Sequence, residues 1–277
     1  MLNNENYFSI ENQMKYMGVS QFKSFEECQA SALAEVTGNY QREQTASLLV
    51  GSYVDAHFEG TLDIFKAKNP EIFTKKGDLK ADYRKANEII NRVEQDELFM
   101  KFMSGDKQII MTGEIEGVPV MQYMSGEKQV IMTADMFGAK WKIKIDSYHP
   151  DSMIVDLKCM KDFKPIYVEE RGRLNWIEAW RYDLQGAVYQ EVVRQNTGKQ
   201  LPFFIAAVTK ETVPDLAVIE VPQSYLDIEL KNFKDKVQFY DGIKKGVFEP
   251  ERCEHCDYCK ETKVLKNPIS LEELEFE

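Results

Sequence analysis

The sequence predicts an α/β fold, with helices packed around a sheet, on three observations. Residues 1–100 carry apolar positions at helical spacing, and residues 101–158 alternate apolar with polar residues between turn signals. One amphipathic helix then precedes two short runs of apolar, β-branched and aromatic residues that read as buried strands. At 277 residues, 43% hydrophobic and 12% aromatic, the chain is long enough to bury a large core. The expected organisation is one unit over 1–277: N-terminal helices at 1–100, a sheet and helix at 101–221, and a helix with a cysteine-rich tail at 222–277.

Ser20 reads as an N-cap, with Phe22, Phe25, Cys28 (or Gln29) and Ala32 following at helical spacing and Gly38-Asn39 closing the helix. Taken alone, Cys28 is a small buried hydrophobe. A second helix is expected over 43–67, with Val50, Val54, His57 and Thr61 on one stripe, so His57 lies on the buried side. Residues 68–100 read as a loop and then a charged helix. There Lys75, Lys76, Lys80, Arg84 and Lys85 form either a solvated face or a contact to phosphates. FMSGDKQIIMTGE at 102–114 and YMSGEKQVIMTAD at 123–135 are near copies, each a turn followed by a strand. Two copies are too few for a solenoid and predict a β-meander.

Residues 141–158 read as two strands about a turn at His149–Ser152. Trp141, Ile143 and Ile145 alternate with Lys142, Lys144 and Asp146; Met153, Val155 and Leu157 alternate with Ile154, Asp156 and Lys158. Period-2 geometry sets Asp156 beside Lys158, and pairing about the turn lets Asp146 approach the same end. Two carboxylates and an ammonium at one point are costly for structure alone. They suit a hard divalent cation with a lysine beside it. Residues 171–197 form the clearest helix, with Ile177, Trp180, Leu184, Val188 and Val192 as its apolar stripe and Gln185 and Tyr189 stacked on one flank. LPFFIAAVTKE and LAVIEVP are the two buried strands, and 222–246 is a polar, lysine-rich helix.

Cys253, Cys256 and Cys259 give C-x2-C-x2-C, a density that points to a metal. Three thiolates need a fourth ligand, for which Cys28, His255 and Cys159 are the candidates. Such crowding is not the pattern of a secreted disulfide framework. No window approaches the ~20 apolar residues of a membrane span and the first residues lack a signal pattern, so a cytoplasmic location without membrane contact is expected. The net charge of -11 argues against a general nucleic-acid coat and leaves room for a local groove with metal ions.

Four motifs occur in a familiar order: His57 in GSYVDAHFEG, Asp146 in KIKID, Asp156-Leu157-Lys158, and Gln185-Gly186-Ala187-Val188-Tyr189. With them the chain resembles the PD-(D/E)XK nuclease superfamily, in particular RecB-type and phage exonucleases of the exodeoxyribonuclease VIII kind, over nearly its whole length. The resemblance implies a single nuclease domain with a restriction-endonuclease-like core, a central mixed β-sheet flanked by helices. It implies His57, Asp146, Asp156 and the Leu157 carbonyl as ligands of Mg2+ or Mn2+. Lys158 would orient or deprotonate the attacking water and stabilise the transition state, with Gln185 and Tyr189 positioning the site.

The implied activity is metal-dependent DNA hydrolysis by an exonuclease resecting linear duplex ends 5′ to 3′. The setting would be bacterial, prophage- or phage-encoded, with a homo-oligomer that supplies single strands to an annealing protein. A catalytically silent DNA-end-binding module and an endonuclease or CRISPR-adaptation nuclease share the pattern. In some members one early cysteine joins three near the C-terminus around a [4Fe–4S] cluster, and Cys28 with Cys253, Cys256 and Cys259 looks like that set. The last two cysteines stand closer in sequence than is usual, which keeps zinc open as the alternative.

Overall fold

The structure, a computed structural model, describes residues 2–105, 110–115, 118–122, 130–268 and 270–271. Helices α1 (Ile10–Lys15), α2 (Val19–Glu27), α3 (Gln29–Val36), α4 (Ala46–Glu59), α5 (Leu62–Lys68), α6 (Ala81–Glu94) and α7 (Glu97–Phe102) come first. Strands β1 (Ile110–Ile115), β2 (Val118–Gln122), β3 (Val130–Met136), β4 (Ala139–Ile145), β5 (Ser147–His149) and β6 (Met153–Met160) follow, then a small hairpin of β7 (Ile166–Val168) and β8 (Gly172–Leu174). Helices α8 (Trp176–Ala179) and α9 (Tyr182–Thr197) lead to β9 (Phe203–Thr209) and β10 (Leu216–Glu220). The described chain ends with α10 (Gln223–Asn232), α11 (Lys234–Lys244) and α12 (Asp257–Glu261).

The strands form the order β10-β9-β6-β5 in one sheet and β2-β1-β3-β4 in another, and β4 runs into β5 across the single residue Asp146. β6 lies parallel to β9, with Asp156 opposite Ile205 and Lys158 opposite Ala207, while β5–β6 and β9–β10 are antiparallel. A mixed sheet flanked by helices results, as expected. A parallel pair needs a long crossover, and α8 with α9 supplies it.

Alternation along β6 and β9 divides the core. Ile154, Phe203, Ile205 and Ala207 face α2, α9 and α11, where Phe22, Leu184, Val188 and Ile243 are buried. Val155, Leu157, Ala206 and Val208 face α4 and α6, where Val54, Ile89 and Val93 are buried. Both faces are covered, which is why these strands read as nearly continuous apolar runs. Each fully buried aliphatic or aromatic side chain contributes about 1.5–3 kcal/mol.

Several expected elements are interrupted, each for a visible reason. The helix expected to be capped by Ser20 starts after Gly18 and breaks at Cys28, whose extended backbone (φ -160°, ψ 111°) ends α2 and opens α3. The helix over 43–67 stops at Gly60, which takes the left-handed conformation (φ 74°) that favours glycine. The helix over 171–197 begins only at Tyr182. Residues 172–174 are a strand, and Arg181 turns the chain at φ 55° while its guanidinium pairs with Glu26 at 2.9 Å and Glu229 at 2.7 Å. Trp180, placed on the expected apolar stripe, falls at this break and is exposed.

The two near copies do not form a meander. β1 pairs parallel to β3, and Ile110 stands opposite Ile131, its counterpart in the second copy, while β2 flanks β1 antiparallel. Most of the two expected Ser-Gly-Asp/Glu-Lys turns lies outside the described residues. Lys142, on the polar side of the alternation along β4, is buried against the Tyr7 ring with its ammonium 4.3 Å from the ring centroid. Among the described residues no helix is long and apolar enough to cross a membrane.

Gly186 lets α9 close on the sheet: a Cβ there would stand 2.6 Å from the Phe203 ring and 2.8 Å from Leu226. Gly186→Ala is therefore expected to destabilise the protein by about 1–3 kcal/mol, because the buried Phe203 ring must shift. An unchanged urea midpoint would show that the helix has slack here.

Candidate functional site

The site is assembled from the bend between β4 and β5, the middle of β6, and the first turns of α9. Asp156 and Lys158 project from the same side of β6, and Lys158 Nζ lies 2.5 Å from Asp156 Oδ2. Asp156 is only 2% exposed. Its other oxygen accepts a hydrogen bond of 2.6 Å from Gln185 Nε2. Asp146, at the bend, accepts the Leu157 backbone N–H on Oδ2 at 2.8 Å. Tyr189, one helical turn beyond Gln185, donates to the Lys144 carbonyl at 3.0 Å and so fixes the strand just before Asp146. The alternation of β6 and the i,i+4 pair on α9 thus converge as their spacing predicts.

His57 is not brought there. Residues advance about 100° per position round a helix, and the stripe that buries Val50 and Val54 against α6 carries His57 with it. Its Nε2 lies 2.8 Å from Glu94 Oε1, and its ring packs edge-on against Phe58. Asp55 and Glu59, four residues apart on α4, lie on another side of the helix, and Asp55 is near enough to Asp156, Lys158 and Asp146 to share their charge. They line a groove with Ser52, Lys144, Asn4 and Phe8, and Glu59 lies 3.7 Å from Lys144 Nζ. Asp55 Oδ1 is buried without a hydrogen-bond partner. The signal was present in the sequence as an i,i+4 acidic pair on the polar face of α4, which on a sequence looks like any solvated face.

Lys23 of α2 was also missed. Its ammonium sits 5.1 Å from the Tyr182 ring centroid, Lys158 lies 5.0 Å from the same ring, and Lys23 donates to the Trp180 carbonyl at 2.8 Å. Burial, reinforced by the charge of Lys158, brings the Lys23 ammonium down to about 7. Lys158 moves the other way: burial works against its charge, but Asp156, Tyr182 and Asp146 outweigh burial and raise it. Burial pushes the Asp55 carboxyl up to about 7, and Glu59 and Asp156 add to it against the pull of Lys158. Asp146 is raised well above the ordinary carboxylate range, first by burial and then by Asp156. Burial thus works against the charge of Asp55, Asp146 and Lys23 alike, and only Lys158 gains enough from its neighbours to overcome it.

A second cluster lies at the chain's end. The sulfurs of Cys28, Cys253, Cys256 and Cys259 all lie within 4.8 Å of one another. Of the three candidates for a fourth ligand, Cys28 is the one that joins the trio. Cys159 sits on β6 against α4, and His255 turns its Nδ1 to the Cys253 carbonyl at 2.8 Å. The basic residues at 75–85 are largely exposed; there Lys85 pairs with Glu88 at 2.8 Å and Arg84 bonds the Leu79 carbonyl.

A mixed sheet carrying Asp, Asp-x-Lys and a following Gln on the crossover helix defines the PD-(D/E)XK class. The chain belongs to the family described as PDDEXK-like domain of unknown function (DUF3799), which matches residues 18–121 and 119–262. It is similar to the crystal structure of a "Putative exonuclease" from Eubacterium rectale, at 47% identity and a TM-score of 0.87, over 98% of this chain and 96% of that one. No curated protein matches the sequence.

In the presence of a chelator, the protein should lose stability as pH rises from about 4 to about 7. A carboxyl whose proton is held more tightly in the fold than in the unfolded chain, as at Asp55 (3.8 rising to about 7), stabilises fully below the unfolded value. That contribution disappears as pH climbs through the folded value. Thermal melts of Asp55→Asn should show a flatter dependence over this range, and a slope equal to that of the native chain would overturn the assignment of this charge.

Proposed function

We propose that this chain is a metal-dependent DNA exonuclease that hydrolyses phosphodiester bonds from linear duplex ends. The observation that carries the reading is the meeting of Asp146, Asp156, Lys158 and Gln185 at one end of the β5–β6 hairpin. A divalent cation fits these residues: oxygen donors converge, Asp55 Oδ1 is buried without a partner, and the carboxyls of Asp55 and Asp146 resist ionising without added positive charge. Asp146, Asp156 and the Leu157 carbonyl would hold Mg2+ or Mn2+, with Asp55 and Glu59 in the part first expected of His57. Bound there, the ion supplies Lewis-acid polarisation of the scissile phosphate and makes a water easier to ionise.

The chain's own groups do the rest. Lys158, kept protonated by Asp156, donates to phosphate oxygens as charge builds on them. Gln185 holds the Asp156 carboxylate in one orientation, and Tyr189 holds the strand that carries Asp146. Lys23, reaching in from α2, sets a second amine beside the Lys158 of β6 across the Tyr182 ring. The named relative at 47% identity supports the exonuclease reading. Resection 5′ to 3′, a homo-oligomer around the duplex and delivery of single strands to an annealing protein complete the proposal, and rest on the family resemblance.

The test is incubation of the purified protein with linear and covalently closed duplex DNA in Mg2+, Mn2+ or EDTA, beside Lys158→Ala. Linear DNA should be degraded only with metal, and the variant should be slower by roughly 10²–10³-fold while still folding, as checked by circular dichroism. Cutting of closed circles would move the assignment to an endonuclease of the same fold. An active Lys158→Ala would dismiss the site.

A further inference from the structure

We infer that Cys28, Cys253, Cys256 and Cys259 hold one zinc ion, and that the [4Fe–4S] cluster implied by the family resemblance does not fit them. The inference does not depend on the nuclease reading. It rests on the size of the sulfur cage. Cys28 Sγ lies 3.6 Å from Cys259 Sγ, Cys253 Sγ lies 4.0 Å from Cys259 Sγ, and no pair among the four exceeds 4.8 Å.

Zinc binds thiolates at about 2.3 Å in a tetrahedron, which sets its sulfurs about 3.8 Å apart. In a [4Fe–4S] cluster each thiolate binds a different iron at the corner of a cube, so the sulfurs stand roughly 6 Å apart. The four sulfurs here enclose room for one ion, not for a cube of eight atoms. The backbone that carries the cage is itself held: the Ala30 N–H bonds the Glu251 carbonyl at 3.0 Å, and Arg252 bonds the Cys259 carbonyl at 2.7 Å. The local geometry also suits a bound thiolate, since the Cys256 N–H points at Cys253 Sγ at 3.3 Å. Binding would displace the thiol protons and leave an S4 site, closed to further ligands in the manner of structural zinc.

The site would bridge positions 231 residues apart, from the α2–α3 break to α12. Its role is therefore to anchor the tail and to fix the end of α2. Four thiolates around zinc need no redox partner.

The experiment is metal analysis of the full chain purified without oxygen from medium containing both iron and zinc, with a visible spectrum taken on the same sample. One zinc per chain, negligible iron and no broad visible absorption are expected. Replacement with Co2+ after chelation should give the intense visible bands of a tetrahedral thiolate site. Those bands should vanish in Cys256→Ser and persist in Cys159→Ser, whose thiol lies outside the cage. Iron with acid-labile sulfide and a broad visible absorption would overturn the assignment, as would a metal-free chain that melts at the same temperature with and without zinc.

Discussion

Because β6 runs parallel to β9, the chain must leave one end of the sheet and return to the other, and α9 makes that return across one face. This crossover decides where the side chains of α9 can point. Leu184, Val188 and Val192 are spent on the core, so residues one position along from Leu184 and Val188 are carried to the strand edge. Gln185 meets Asp156, and Tyr189 meets the backbone of β4 before the bend. The bend at Asp146 then follows from β4 belonging to one sheet and β5 to the next. Shifting the register of β6 against β9 by one residue would send Asp156 and Lys158 to the α4 face and dismantle the site.

The electrostatics point the same way. A buried Asp–Lys pair is weak evidence for stability, because desolvating two charges offsets most of their attraction. Here Asp146, Asp55 and Glu59 are added to Asp156, and burial first, with their mutual repulsion second, makes Asp146 and Asp55 resist ionising. The lowered proton affinity of Lys23 belongs to the same balance, since it faces both burial and the charge of Lys158. Such a cluster is tolerable in a fold whose central strands are covered by helices on both faces, where packing can supply the stability that the site subtracts.

What could be read from the sequence was what depends on local periodicity. The alternation along 153–158 and the i,i+4 spacing of Gln185 and Tyr189 place those residues whatever surrounds them, and the structure brings them together. His57 shows the limit. Its stripe carries the buried Val50 and Val54, but His57 at its far end is only half-buried and pairs with Glu94, while Asp55 on the polar side feels the charge of Asp156 and Lys158. A polar helix face looks identical in sequence whether it borders water or a carboxylate cluster. The pairing of β1 with β3 was likewise hidden, because adjacency in the chain favours a meander and only the three-dimensional sheet sets Ile110 beside Ile131. The breaks at Cys28 and Arg181 are tertiary choices, made against residues that are ordinary in a helix.

Those two breaks connect the two clusters through one helix. α2 ends at Cys28 in the cysteine cage, and its Glu26 pairs with Arg181, the residue that turns the chain into α9. Its Lys23 lies between them and shares the Tyr182 ring with Lys158. An isolated helix of nine residues is marginal on its own in water, so its position has to be set by what it touches. Phe22 and Phe25 bury one face against Tyr240, the cage fixes its end, and the Glu26–Arg181 pair ties it to the start of the helix that carries Gln185. A metal at the cysteines would therefore reach the acidic site as geometry, through the placement of α2, without sharing any ligand with it.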